Sequence, residues 1–102
     1  LTSIDAKITR LFTDGTYGAF YNCTSLREIY LYCDISSYTF YGCNLEHLYW
    51  KPVSSDDTIG NYAIVSCKYL HFNGTMDEFY EVDIGNGNVI ENVVCTDGTI
   101  SI

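Results

Sequence analysis

The chain has 102 residues, 13 of them acidic against 5 basic, for a net charge of −8. Nucleic acid is bound mainly by cationic surfaces, and no stretch of 18 apolar residues is present to cross a bilayer. Neither a nucleic-acid partner nor membrane insertion is therefore expected. A chain this long builds one domain, with an ordinary apolar share of 47% but 16% aromatics, ten of them Tyr.

In chain order, Leu1-x-x-Ile4-x-Ala6 reads as a strand, because that spacing sends its last two apolar residues to one face. An irregular return with an Asp14-Gly15 turn follows. Ala19-Phe20-Tyr21-Asn22-Cys23 is too short for a full helix and suits one helical or 3₁₀ turn. Leu26-x-x-Ile29-x-Leu31 repeats the strand signal, with Ile29 to Tyr32 extended. A compressed return leads to a second corner, Phe40-Tyr41-Gly42-Cys43, and then to Leu45-x-x-Leu48-x-Trp50, with Leu48 to Trp50 extended. Pro52 ends that run, since proline donates no ladder hydrogen bond. Val53 to Thr58, with Asp56-Asp57, is a polar loop. Ala63-Ile64-Val65-Ser66-Cys67 is a third corner, and Tyr69 to Phe72 is the last strand of the series. Thr75-Met76-Asp77-Glu78 has the form of a capping box opening a helix to about Val82. Gly85-Asn86-Gly87-Asn88 is a turn cluster. Val93 to Cys95 and Thr99 to Ile102 suggest a hairpin around Asp97-Gly98.

The stretch Ala19 to Leu26 recurs, degraded, at Thr39 to Leu45 and again at Ala63 to Cys67, with cysteines 20 and then 24 residues apart. Self-similarity at that period marks stacked units, each burying its apolar face only against its neighbours. Phe20, Phe40, Leu26, Ile29, Leu31, Leu48 and Trp50 are structural on this reading. Cys23, Cys43 and Cys67 share a repeat position and are expected in an interior ladder, packed as small hydrophobes. A disulfide between neighbours in that ladder stays open as the alternative. Cys33, in the irregular linker, is the expected exposed thiol. Either Cys67 or Leu70 takes the leading place of the third unit.

These residues resemble the BspA-type leucine-rich repeat, whose units read roughly I-G-x-x-A-F-x-x-C-x-x-L-x-x-I-x-I-P. Ile59-Gly60-Asn61-Tyr62-Ala63 and Gly18 to Leu26 carry the likeness most clearly. Tyr69 to Phe79 is similar to the Y-x-G-T-x-x-x-W ending of such arrays, with Phe79 in the Trp place. Val94-Cys95-Thr96-Asp97-Gly98-Thr99-Ile100 is similar to their terminal strand pair. The resemblance implies a mixed α/β repeat: a right-handed leucine-rich-repeat solenoid with a parallel sheet and short helical or 3₁₀ corners. It implies about four coils over residues 1–75 and a helix-plus-hairpin cap over 76–102, within one domain. It also implies a secreted or cell-surface bacterial protein acting in adhesion to protein or glycan on host or neighbouring cells. No cofactor is expected.

Alternation along the strands gives the candidate binding residues. With Ile29 and Leu31 inward, Glu28, Tyr30 and Tyr32 face out, beside His47, Tyr49 and Lys51 on the next strand and Tyr69 and His71 on the third. Stacking yields two rows, Asp5–Tyr30–Tyr49–His71 and Ser3–Glu28–His47–Tyr69, which a one-residue slip would turn inward. Tyr supplies large rigid contact area with a polar tip, although cross-strand aromatic pairs also steady a sheet by about 0.2–1 kcal/mol each. No Ser/His/Asp or Cys/His triad is evident, no phosphate loop, and no zinc spacing. Catalysis and a metal site are not expected.

Overall fold

The computed structural model describes residues 3–8, 20–51 and 58–101. Each repeat unit ends in a strand, for the reason the alternation dictates: every second side chain is pressed inward and its neighbours are left out. The elements are β1 (Ser3–Ile8), β2 (Glu28–Leu31), β3 (Leu45–Trp50), β4 (Cys67–Phe72), α1 (Met76–Tyr80), β5 (Ile90–Cys95) and β6 (Gly98–Ser101). They build one sheet in sequence order, the first five strands parallel and β6 antiparallel to β5. The expected Asp14-Gly15 turn, the corner's start at Ala19, Pro52 and the Asp56-Asp57 loop lie outside the described residues. So do the side chains of Ser3 and Asp5.

The core is made of rows that cross the strands. Ile29, Leu48, Leu70 and Val93 stand in register, as do Leu31, Trp50 and Phe72, and all are buried. Burying a side chain of this size stabilises by about 1.5–3 kcal/mol. Trp50 also donates from Nε1 to the Cys33 carbonyl at 2.7 Å, so its one polar atom is satisfied inside. A second line of stacking faces the sheet. Ile35, Ile59 and Ile84 form a ladder of parallel bridges, and Phe40 bridges Ile64. Phe20 stacks on Phe40 at 5.5 Å and 6°.

Four features differ from the sequence expectation. The corners are single hydrogen-bonded turns, not helical or 3₁₀ segments. Cys23 donates back to Phe20 and Cys43 to Phe40, but Asn22 (φ 58°) and Gly42 (φ 84°) are left-handed, which stops a right-handed turn from propagating. The cysteine ladder breaks at Cys67. Its corner from Ile64 is shorter than those from Phe20 and Phe40, so Cys67 slides into the strand and lies opposite Leu45, not Cys43. Cys67 therefore leads the third unit. Cys33 is buried instead of exposed, and none of the five cysteines is in a disulfide. Burial pushes the Cys43 thiol up to about 11 and the Cys67 thiol up to about 12.

The fourth difference lies at the carboxyl end. The capping box forms at Thr75 and Glu78 as expected, but α1 ends at Tyr80. The parallel sheet continues past residue 75, because β5 pairs with β4 through Leu70–Val93 and His71–Val94. Gly85 to Asn88 is a further corner: Ile84 continues the isoleucine ladder, and Gly87 (φ 79°) repeats the left-handed positions Tyr38 (φ 61°) and Tyr62 (φ 54°). The side chain of Asn88 closes it, accepting from Ile64 N at 2.8 Å and donating to the Gly60 and Gly85 carbonyls. The terminal hairpin turns at Thr96-Asp97, with Cys95 opposite Gly98.

Candidate binding face

The outward side chains fall into the expected rows. Glu28, His47, Tyr69 and Asn92 stand in register, and beside them Tyr30, Tyr49, His71 and Val94. Strand spacing near 4.8 Å brings flat side chains into contact. Tyr30 stacks on Tyr49 at 4.3 Å and 7°, and Tyr49 on His71 at 4.3 Å and 11°. In the other row His47 stacks on Tyr69 at 5.3 Å and 13°. The rows join diagonally where His47 Nδ1 lies 2.9 Å from His71 Nε2, one nitrogen donating and the other accepting.

That joint shapes the electrostatics. Burial, then the neighbouring His47, holds the His71 imidazole below its ordinary pKa, with Glu28 opposing them. Burial, then Tyr30 and Glu28, raises the Tyr49 phenol, whose hydrogen bond to Tyr30 adds to the shift. Among the described residues no third His, Cys, Asp or Glu joins the pair to make a metal cluster.

Tyr32 follows the end of β2, with the exposed Lys51 ammonium 5.7 Å from its ring centre. Together they extend the first row into a groove of about 320 Å³ at the carboxyl ends of β2 to β4, floored by Trp50 and Phe72. All seven candidate residues, Glu28, Tyr30, Tyr32, His47, Tyr49, Tyr69 and His71, thus lie on one face. Lys51, expected to face out beside Tyr49, lies in the groove with Asn73; Asn73, and Asn92 and Val94 on β5, had not been expected on this face. The signal for the last two was present, since Ile90-x-x-Val93-x-Cys95 has the strand spacing of the earlier units. A second set of tyrosines runs along the corners: Tyr21 stacks on Tyr41 and Tyr38 on Tyr62 at 5.5 and 5.7 Å, with Tyr38 tilted against Tyr41.

Successive parallel strands with one inward pattern and stacked corners define a repeat protein with a ring-lined sheet face. Its sequence matches the BspA type leucine rich repeat region as six copies over residues 2–93, and the chain belongs to that family. The matched span reaches into the additional strand β5. Comparison with curated proteins and with solved structures found no match. Family membership points to a protein-interaction module. No helix among the described residues is long and apolar enough to cross a membrane.

Proposed function

We propose that the chain is an adhesin-like recognition module of a bacterial cell-surface or secreted protein, docking protein or glycan on host or neighbouring cells. The reading assigns it no catalysis. One observation carries it: the ladder of stacked Tyr and His rings from Tyr30 to His71, half-buried and in register across three strands. Packing had already been met by the inward rows, and aromatic side chains of this kind dominate recognition surfaces. Surface association, general in the family, supports the location. The units are taken to wind as a right-handed solenoid, the hand parallel crossovers adopt.

The test is binding of the chain to an array of host matrix proteins and glycans, with a Tyr30→Ala/Tyr49→Ala variant alongside. The expected result is a ligand lost by the variant while its melting temperature stays close to the parent's. Unchanged affinity in a folded variant rejects the face as the site.

The carboxyl-terminal segment favours a second reading, a structural cap on a longer array with binding upstream. Phe79 packs edge-on against Phe72 at 5.2 Å and 72°, and Asp97 accepts from the Met76 amide at 2.9 Å. Removing the chain from Met76 onward separates the two readings.

A further inference from the structure

The rings of the outward ladder stand on edge. Tyr30, Tyr49 and His71 stack at 4.3 Å, 7° and 11° from parallel, so the ring faces between them are covered by neighbours. A ligand approaching the sheet meets ring edges, which carry the positive end of the ring quadrupole, together with phenolic O–H groups. A cationic ligand needs a ring face; an oxygen-rich anion suits the edge. Lys51 strengthens that preference. Its ammonium is exposed beside Tyr32 and makes no ion pair among the described residues. Among the described residues no carboxylate lines the groove; Glu28, on the same face, acts on Tyr49 and His71 from outside it, and Glu46, Glu81, Asp83 and Glu91 are exposed elsewhere.

We propose that the groove at the carboxyl ends of β2 to β4 takes a carboxylated sugar, a uronic or sialic acid unit of a glycan. This rests on the sheet face being the docking surface and names what docks there. Two observations favour a sugar over an acidic peptide. The groove, about 320 Å³, is at the small end of ligand pockets, which run to about 1,000 Å³, and so suits one ring. The chain carries −8 overall, which opposes a polyanion, while a single carboxylate at Lys51 feels mainly the charge within a Debye length of about 8 Å. Sugar hydroxyls and the ring oxygen offer acceptors to the Asn73 amide and the Lys51 ammonium.

The experiment is an NMR titration of the whole chain with methyl glucuronide, with methyl glucoside, which lacks only the carboxylate, and with a tetraglutamate peptide. Parent and Lys51→Gln are compared. Methyl glucuronide should bind, methyl glucoside about tenfold more weakly, the scale of one charge-assisted hydrogen bond. Lys51→Gln should bring the glucuronide to the level of the glucoside. Equal affinity for the two sugars, no binding of either, an indifferent Lys51→Gln, or tighter binding of tetraglutamate each overturns the proposal. A partner captured through Tyr30 and Tyr49 that glucuronide does not displace also overturns it, yet leaves the sheet face standing as the docking surface.

Discussion

His47 and His71 share one hydrogen bond at 2.9 Å, an arrangement that needs at least one imidazole neutral, because two imidazolium rings have donors and no acceptor. Burial and His47 both lower the His71 pKa in the folded chain. The unfolded chain therefore takes up a proton, near pH 6.5, that the folded chain refuses. Where the unfolded state binds more protons, stability rises with pH. Stability due to this group is complete above about pH 6.5 and falls as the pH drops below it. Thermal melts of parent and His71→Gln across that range test this. The parent should lose melting temperature relative to the variant on acidification, and a difference independent of pH refutes it.

At the scale of elements, one turn is written three times with different side chains. Tyr38, Tyr62 and Gly87 hold the same left-handed position after Ile35, Ile59 and Ile84. Tyrosine tolerates the angle twice, so φ alone does not demand glycine at Gly87. The Tyr62 ring does: it lies against the Gly87 backbone, where a Cβ would fall within it. Gly87→Ala should destabilise by about 1–2 kcal/mol in urea unfolding. In a Tyr62→Ala background the cost should shrink, since the ring is gone; equal costs in both backgrounds would show the ring contact irrelevant.

On the scale of the whole molecule, each unit is stable only through its neighbours, so the last one must be covered. β5 shields the β4 edge, and Phe79 covers Phe72. Deleting Met76 onward would open the β4 edge and expose Leu70 and Phe72, an invitation to edge-to-edge pairing. Aggregation or loss of a cooperative melt is expected. A soluble fragment melting near the parent temperature would deny the segment a structural role, and retained ligand binding by that fragment would place recognition wholly on β2 to β4.

Strand identity and the facing of side chains were determined by the sequence itself, because the period of two acts locally. Ile29, Leu31, Leu48 and Trp50 are inside as read, and Glu28, Tyr30, His47, Tyr49, Tyr69 and His71 share one face. The capping box at Thr75 was legible for the same reason, its partners being three residues apart. What local pattern left open was settled by neighbouring strands. Cys67 and Leu70 both satisfied the alternation, and only pairing with Leu45 and Leu48 chose between them. Gly85 to Asn88 read only as a turn cluster, and the pairing of β5 with β4 made it a further corner. The groove was decided by tertiary structure alone. Alternation turned Tyr32 and Lys51 outward without saying that they meet; with Asn73, for which the sequence held no signal, they come together because parallel strands in register bring their carboxyl ends to one edge.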